Sequence, residues 1–357
     1  MTTAQPAPIE RVEGTPARPV LELRHVSVEF VGADDSVSAV SDVSLSVLQG
    51  EIFGLVGESG CGKSTLALAI MGLLPSKARV RGRIAFEGRE LIGLGEREMR
   101  KLRGNRLSMV FQDPMTSLDP TFGIGEQVAE TVRAHREVSA DAARRRALQL
   151  LGEVGIPASE QRYAEPPHRF SGGMRQRVVV ATALANDPAL LLADEPTTAL
   201  DVTIQAQILD LIRSLRARHR TTVVLITHDL GVIAQICDRV GVMYAGQLVE
   251  IAPVAELFAS PRHPYTQALI TALPTSDQER GSLRVIEGQV PDLTDPPPGC
   301  RFSPRCPVRR AECDTVPPLA LARAGHAIAC WADPATRAAA AAPTIGVADT
   351  APGGARE

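Results

Sequence analysis

The chain has 357 residues, of which 44% are hydrophobic and 22% are charged, as in globular proteins with one large domain or two smaller ones. Its formal net charge of −3 gives no reason to expect nucleic acid as the main partner. It contains no apolar run of the roughly 20 residues that a membrane span needs, and its first residues lack the basic and apolar regions of a secretory signal. We therefore expect a cytoplasmic protein, in which structural disulfides are rare.

The two ends of the chain differ from its middle. Residues 1–19 and 335–357 are rich in Ala, Pro, Thr and Gly and lack periodicity, which predicts disordered tails. In the run VLELRHVSVEFV (20–31), apolar and polar residues alternate as in a half-buried strand. The runs VSDVSLSVL (40–48) and RVRGRIAFEG (79–88) are similar. Together they predict an antiparallel sheet in the first quarter of the chain.

Short, largely apolar runs recur through the rest of the chain, and helical patterns separate most of them. These runs are EIFGLVG (51–57), LSMVFQ (107–112), ALLLAD (189–194), TTVVLIT (221–227) and RVGVMYAG (239–246). Strands that are apolar on both faces and alternate with amphipathic helices indicate a parallel sheet covered on each side. Residues 123–187 hold several helical stretches without a clear strand, which predicts a helical insertion. The predicted fold class is α/β.

The first chemical motif is GESGCGKST. It follows the apolar run IFGLV and opens a helical pattern, the context in which phosphate-binding loops occur. Its predicted ATP-binding residues are Gly57, Glu58, Ser59, Gly60, Cys61, Gly62, Lys63, Ser64 and Thr65. Backbone N–H groups and the helix N-terminus would bind phosphate oxygens, Lys63 would reach the β- and γ-phosphates, and the Ser64 hydroxyl would be a magnesium ligand. An incidental lysine in a glycine-rich turn is the alternative, but the chain has only three lysines.

A second apolar run ends in two carboxylates, in the sequence LLLADEP. Ligands of a parallel sheet bind at the carboxyl ends of its strands, so this end is expected near the phosphates. Asp194 suits a magnesium contact, and Glu195 suits a catalytic base that polarises the attacking water. Such a pair more commonly caps a following helix. The phosphate loop favours the catalytic interpretation here.

The sequence FSGGMRQR (170–177) resembles the signature motif of the nucleotide-binding subunits of ATP-binding cassette (ABC) transporters. Ser171, Gly172 and Gly173 match that motif, whereas Phe170 and Met174 depart from its commonest form. A serine and two glycines at a helix start form a second anion-binding surface. The resemblance implies a head-to-tail dimer in which the signature of one subunit closes over the ATP held by the other.

Further motifs of this family follow in the expected order. Gln112 matches the glutamine that contacts magnesium and the attacking water and senses the membrane partner. Asp201, in TALD (198–201), matches the residue at the dimer seam, and His228, in LITHDL, matches the histidine that contacts the γ-phosphate. A lone histidine at a strand end is more often structural; its position after Asp194 and Glu195 favours catalysis. Phe30 is the candidate for stacking on adenine.

The resemblance also implies the architecture. It predicts a P-loop NTPase (RecA-like) core with an antiparallel β subdomain and an α-helical subdomain, followed by a small cysteine-containing C-terminal extension. The nucleotide-binding domain would span residues 20–259, with the helical subdomain at about 113–187. The extension would span residues 260–334.

The stretch SPRHPYTQALITALP (260–274) resembles the segment that follows the ATPase core in oligopeptide and dipeptide importers. This implies a peripheral subunit on the cytoplasmic face of the membrane, docked on two membrane-spanning permeases and served by an extracytoplasmic peptide-binding protein. Such importers commonly pair two different ATPases, which favours a heterodimer. Importers of nickel or glutathione use similar ATPases. Two rival hypotheses are a soluble cassette ATPase acting on ribosomes or DNA, and a redox sensor with a borrowed ATPase.

Four cysteines follow within the extension: Cys300, Cys306, Cys313 and Cys330. They lack the closely spaced pairs typical of zinc sites, and Cys306 precedes a proline, as cluster-ligating cysteines do. Proteins resembling this one suggest a 4Fe-4S cluster. Reduced thiols without metal, or zinc with help from His326, would also be compatible with the spacing. We expect neither Cys61 in the phosphate loop nor Cys237 in a helix to bind metal.

Overall fold

A computed structural model describes residues 19–32, 35–198, 200–273 and 286–341, and for Pro114, Met115 and Ala341 it describes only the backbone. The predicted tail at residues 1–19 lies outside these ranges except for Pro19. The part of the predicted C-terminal tail that follows residue 341 also lies outside them.

The strands alternate with helices over most of the described chain. In chain order, the strands are β1 (Pro19–Val31), β2 (Ser36–Leu48), β3 (Ile52–Val56), β4 (Ala78–Phe86), β5 (Arg89–Glu90), β6 (Leu107–Val110), β7 (Leu190–Asp194), β8 (Thr222–Thr227), β9 (Arg239–Tyr244), β10 (Gln247–Pro253), β11 (Ala320–Arg323) and β12 (His326–Ile328). The helices are α1 (Lys63–Met71), α2 (Glu96–Leu102), α3 (Pro114–Ser117), α4 (Ile124–His135), α5 (Ala140–Glu153), α6 (Ser159–Arg162), α7 (Gly172–Ala183), α8 (Val202–His219), α9 (Leu230–Ile236), α10 (Val254–Ala259), α11 (Pro264–Thr271) and α12 (Pro334–Ala341).

The larger sheet has the strand order β11-β12-β10-β9-β3-β8-β7-β6. Its five strands from β9 to β6 run parallel, and every residue of β3, β7 and β8 is buried. Strands buried on both faces are apolar throughout because helices or a second sheet cover each face. The α/β fold class predicted from these apolar runs is confirmed.

The smaller sheet is antiparallel and has the order β2-β1-β4-β5. Val26 and Val28 of β1 and Val40 and Val43 of β2 are fully buried in one hydrophobic cluster. That cluster also contains residues of β3 and α1, so the small sheet packs against one face of the large one. This is the antiparallel β-sheet expected from the alternating runs.

Helices α4, α5 and α7 form a second layer on the other side of the parallel strands. Val128, Leu150, Leu151 and Val178 from these helices are fully buried in a cluster that also contains Leu191 of β7. Burying side chains of this size stabilises the folded state by about 1.5–3 kcal/mol each. Among the described residues of the interval 123–187 the elements are helical, as predicted for that segment.

The C-terminal extension is joined to the core rather than appended to it. Strand β12 pairs with β10 and continues the large sheet. The Arg301 guanidinium donates hydrogen bonds to the backbone carbonyls of Ser38 and Ala245, and Ser38 donates its backbone N–H to the Leu293 carbonyl at 3.0 Å. The extension therefore contacts both sheets.

Two boundary predictions were wrong. The tail predicted from residue 335 is helical up to Ala341, because Thr336 is fully buried and its hydroxyl bonds to the Ile328 carbonyl and the Cys330 N–H. Strand β6 ends at Val110 and not at Gln112. Phe111 is 41% exposed, and Gln112 lies in the loop that precedes α3.

Candidate active site

The carboxyl ends of neighbouring parallel strands bring the predicted catalytic residues together. The phosphate loop follows β3, His228 follows β8, and Glu195 follows β7, and these three strands are adjacent in the sheet. Gln112 follows β6, the next strand along. Because the strands run parallel, these side chains share one edge of the sheet, where α/β proteins bind their ligands.

The phosphate loop passes close to the small sheet. Gly62 has a φ of 96°, and a Cβ at this position would lie 2.3 Å from the Ala39 carbonyl oxygen of β2. Only glycine fits here. Helix α1 begins at the next residue without a side-chain cap, which leaves its N-terminus suited to an anion. Lys63 is 5% exposed, and its ammonium donates to the carbonyls of Gly57 at 2.8 Å and Glu58 at 3.0 Å.

Two of the three predicted magnesium ligands, Ser64 and Asp194, are in contact. The Ser64 hydroxyl donates to the Asp194 carboxylate at 3.1 Å. Burial raises the pKa of Asp194, the Ser64 hydrogen bond lowers it, and the neighbouring Glu195 charge raises it. A buried carboxylate beside a second one is stabilised by a cation, and hard oxygen donors are what Mg²⁺ prefers. These residues therefore fit Mg²⁺, which in nucleotide sites is held by few protein groups plus phosphates.

The Glu195 carboxylate accepts hydrogen bonds from three side chains. The donors are Thr198 Oγ1 at 2.7 Å, His228 Nδ1 at 3.0 Å and Gln112 Nε2 at 3.1 Å. Burial raises the pKa of Glu195, but the bonds from His228 and Thr198 lower it, and the net pKa is below its usual value. The carboxylate is therefore ionised at neutral pH, as a base must be.

The Glu195 backbone has a φ of 46°, in the left-handed region. Non-glycine residues occupy this region infrequently and at some cost in energy, often at functional sites. Its N–H donates to the Ile226 carbonyl at 2.9 Å, which holds this conformation. Thr198 was not identified from the sequence as a site residue, although it is the first residue of the TALD motif.

The signature residues lie elsewhere. Ser171 caps helix α7, and its hydroxyl accepts the Met174 N–H at 3.4 Å. Ser171 and Gly172 are exposed, whereas a Cβ on Gly173 would lie 2.6 Å from Ile204 of α8. Within the described residues, no hydrogen bond joins this segment to the phosphate loop.

Asp201 lies at the start of α8, and Phe30 lies near the end of β1. The Asp201 carboxylate caps α8 by accepting the N–H groups of Thr203 and Ile204. Phe30 is half buried near the end of β1, opposite Val37 of β2. Two residues further along β2, the Ala39 carbonyl contacts the phosphate loop. Phe30 therefore lies at the end of the small sheet that is near the phosphate loop.

All six cysteines lie within the described residues, and none of them forms a disulfide. Across the described ranges, no group of three or more His, Cys, Asp or Glu side chains is placed to hold a metal ion. His326 does not join the cysteines. It is fully buried, and its Nε2 bonds to Glu250 at 2.7 Å, so the zinc hypothesis that included His326 was wrong.

The four cysteines of the extension nevertheless affect one another electrostatically. Burial and, to a smaller extent, the other three cysteines raise the pKa of the Cys300 thiol to about 11. The Cys313 sulfur accepts the Arg310 N–H at 3.4 Å, and the backbone N–H groups of Phe302, Val308 and Ala332 partly offset the rise in the thiol pKa of Cys300, Cys306 and Cys330. N–H groups directed at sulfur stabilise thiolates, and they accompany cluster ligation.

Sequence comparison identifies the family. The ABC transporter profile matches residues 40–198, and a profile for the C-terminal region of oligopeptide/dipeptide transporters matches residues 249–313. The dipeptide transport ATP-binding protein DppD of Bacillus subtilis is 49% identical over 315 residues, covering 87% of this chain and 94% of that protein. The chain belongs to the ABC transporter family.

Further relatives and structures agree with this assignment. The oligopeptide transport ATP-binding protein OppD of Salmonella typhimurium is 46% identical over 88% of this chain and 94% of its own length. A dimeric ATP-binding cassette solved in a post-hydrolysis state with ADP and Pi is 29% identical, with a TM-score of 0.59, covering 66% of this chain and 98% of that one. This chain is therefore an ABC-type ATPase, with ATP and Mg²⁺ as expected ligands. Of the helices in the described ranges, none combines sufficient length and apolar character to span a membrane.

Proposed function

We propose that this ABC transporter ATPase powers the import of di- or oligopeptides by hydrolysing ATP beneath two membrane permeases. One observation supports the ATPase chemistry above all: Glu195 accepts hydrogen bonds from both Gln112 and His228 beside the phosphate loop. The peptide cargo is supported by the C-terminal profile at residues 249–313 and by the relatives, which are named as dipeptide and oligopeptide transport proteins.

The side chains have distinct proposed roles. The residues from Gly57 to Thr65 bind the phosphates, with Lys63 on the β- and γ-phosphates. Ser64, Asp194 and Gln112 hold Mg²⁺, which neutralises phosphate charge when it is bound. Glu195 takes the proton of the attacking water, and His228 contacts the γ-phosphate. Phe30 stacks on adenine.

The active site is proposed to form between two subunits. Ser171, Gly172 and Gly173 of one ATPase bind the γ-phosphate held by its partner, with Asp201 at the seam. The exposure of Ser171 and Gly172 at the start of α7 supports this, because a helix N-terminus with small residues suits an anion supplied by another chain. We propose that the partner ATPase is a different chain.

The docking surface for the permeases is proposed to surround Gln112. Phe111 and Phe122 are 41% and 54% exposed and flank the segment that links β6 to the helical layer. Exposed aromatic side chains are typical of protein interfaces. In this arrangement the ATPase lies on the cytoplasmic face of the membrane, and an extracytoplasmic peptide-binding protein delivers cargo to the permeases. The proposed nucleotide-binding domain spans residues 20–259, with a helical subdomain at about 113–187, and the extension begins at residue 260 and includes the helix Pro334–Ala341.

Uptake measurements test this proposal. Host cells that lack the chain are complemented with wild type or with Glu195→Gln, and the uptake of a labelled dipeptide, a labelled oligopeptide, nickel and glutathione is measured. We expect wild type alone to restore uptake of a peptide, with nickel and glutathione unaffected. Restored uptake of nickel or glutathione instead would refute the peptide assignment. Full restoration by both variants would refute the role of hydrolysis.

For the four cysteines of the extension we propose a 4Fe-4S cluster. The Cys300 N–H bond to the Cys313 carbonyl at 2.9 Å, the Arg310 N–H bond to the Cys313 sulfur and the effect of the other three thiols on the Cys300 pKa support it. Zinc sites built from thiolates typically contain closely spaced cysteine pairs, which this segment lacks. A cubane cluster is wider. When bound, the cluster would stabilise the fold of a segment that has little apolar core.

Metal and sulfide analysis of anaerobically purified protein tests the cluster. We expect about four irons and four sulfides per chain, with absorbance near ~400 nm. Cys306→Ser should lose iron, and Cys237→Ser, which changes a thiol outside the group, should keep it. Zinc without sulfide, or no metal, would refute the cluster and leave the ATPase assignment intact.

A further inference from the structure

We infer that Tyr265 and Arg305 of the C-terminal extension are positioning residues for the phosphate loop, and that they act through Glu58. Neither residue belongs to a nucleotide motif. Arg305 lies 247 positions from Glu58 in sequence, and Tyr265 lies 207 positions away. The inference rests on the proposed role of the loop in binding ATP, and it adds a dependence of that binding on the extension.

Glu58 is bound through its carboxylate, its N–H and its carbonyl. Its carboxylate forms two bonds with the Arg305 guanidinium, at 2.8 and 3.3 Å. Its backbone N–H donates to the Tyr265 hydroxyl at 3.0 Å. Its carbonyl accepts the Lys63 ammonium at 3.0 Å. Two of these three contacts come from the extension, and the third is to the lysine that binds phosphate.

The Arg305 guanidinium has little freedom to move. Its side chain is 5% exposed. Besides Glu58, it donates to the Tyr244 hydroxyl at 3.2 Å and to the carbonyls of Ile286 at 3.0 Å and Glu287 at 2.9 Å. Arginine has five N–H donors, and these contacts account for all five. A guanidinium that is fully bonded and shielded from water imposes its orientation on its carboxylate partner.

Tyr265 is held by an aromatic cluster formed by Tyr244, Tyr265 and Phe302. Tyr265 is fully buried, and its ring centroid lies 4.6 Å from that of Tyr244 and 5.4 Å from that of Phe302. Phe302 and Arg305 lie between Cys300 and Cys306, with Arg305 in a short 3-10 turn at Ser303–Arg305. The segment that carries these cysteines therefore also carries the support of the phosphate loop.

The contact with Lys63 determines which kinetic step depends on Arg305. The Lys63 ammonium donates hydrogen bonds to the carbonyls of Gly57 and Glu58. A shift of Glu58 therefore displaces both the backbone of the phosphate loop and the Lys63 ammonium. The groups around Glu195 are not involved. A positioning role therefore predicts weaker ATP binding and a higher KM, with kcat changed little.

The experiment measures MgATP affinity by equilibrium titration on the purified full-length chain, and KM and kcat in the assembled transporter. For Arg305→Gln we expect Kd and KM to rise at least fivefold and kcat to stay within twofold. Glu58→Gln should raise Kd by a similar factor. The double variant should bind MgATP no more weakly than either single variant, because each substitution removes the same Glu58–Arg305 interaction. Arg305→Lys should recover only part of the affinity, since an ammonium cannot make the paired contact.

Arg309→Gln is the matched control. Arg309 lies in the same segment, but its side chain is 56% exposed and pairs only with Asp314 in the described contacts, so its Kd should equal that of wild type. If Arg305→Gln does not fold, Tyr265→Phe removes only the hydroxyl that accepts the Glu58 N–H, and a twofold or greater rise in Kd is expected.

Wild-type affinity in a folded Arg305→Gln variant, or additive effects in the double variant, would overturn the inference. Failure of the wild-type chain to bind MgATP would instead refute the proposed function. The two failures are thus distinguishable.

Discussion

Replacement of Glu195 by Gln tests the proposed base directly, because the two side chains have the same shape and differ in charge. Glu195 Oε2 accepts bonds from Gln112 and Thr198, and Oε1 accepts one from His228 Nδ1. A glutamine can keep its oxygen towards Gln112 and Thr198 and turn its NH2 group towards His228, whose Nδ1 accepts when the neutral ring carries its proton on Nε2. The variant should therefore fold normally and lose only the capacity to take a proton.

The expected loss follows from the role of a general base, which contributes about 10²–10⁴-fold to the rate, or about 2.7–5.4 kcal/mol of barrier. MgATP affinity should be unchanged or higher, because one negative charge near the γ-phosphate is removed. The ATP-bound dimer should then accumulate.

Single-turnover hydrolysis and size-exclusion chromatography with MgATP measure the two effects. Glu312→Gln, at an exposed position of the extension, is the matched control and should hydrolyse ATP like wild type. Hydrolysis by the Glu195→Gln variant within threefold of wild type would exclude Glu195 as the base.

Three further predictions concern dimer geometry and the extension. Ser171→Ala should lower hydrolysis at least tenfold while the isolated monomer binds MgATP normally; weaker monomer binding would argue against a site shared between subunits. Glu250→Ala should destabilise the fold by about 3–5 kcal/mol, measured by thermal unfolding. The substitution leaves buried His326 and the N–H groups of Arg262 and His263 without a hydrogen-bond acceptor. A loss of stability below about 1 kcal/mol would contradict this prediction. Burial lowers the pKa of His263 from 6.5 to about 3, so the folded state keeps its imidazole neutral, and protonation of the unfolded chain lowers the stability as the pH falls from 6.5 towards 3. In denaturant titrations wild type should lose about 1 kcal/mol more stability than His263→Gln between pH 7.5 and 5.5, and equal losses would refute the assignment.

Contiguous motifs made much of this protein readable from its sequence. GESGCGKST combines a strand end, glycines and a helix start within nine residues, so local conformation and chemistry are both specified there. The apolar runs ending at Asp194 and before His228 predicted parallel strands, and parallel strands place their carboxyl ends at one edge. The α/β class and the proximity of Glu195 to the phosphate loop follow from those two facts.

Some features depended on single short-range contacts that no sequence motif indicates. Thr198 bonds to Glu195, and the helix at Pro334–Ala341 forms because buried Thr336 bonds to Ile328. Neither contact can be read from the sequence. A single hydrogen bond from a threonine hydroxyl produces no periodic pattern of apolar and polar residues.

By itself, the sequence determined the fold class, the order of the nucleotide motifs and the family resemblance, because each of these is encoded in short segments with a regular period or a fixed spacing. Only the tertiary structure decided that His326 binds Glu250 instead of a cysteine site, and that Arg305 contacts Glu58 across 247 positions. The physical reason is that a buried charge takes whichever partner the packing of the chain brings within reach. The partner can lie at any separation along the sequence, so no fixed spacing reveals it.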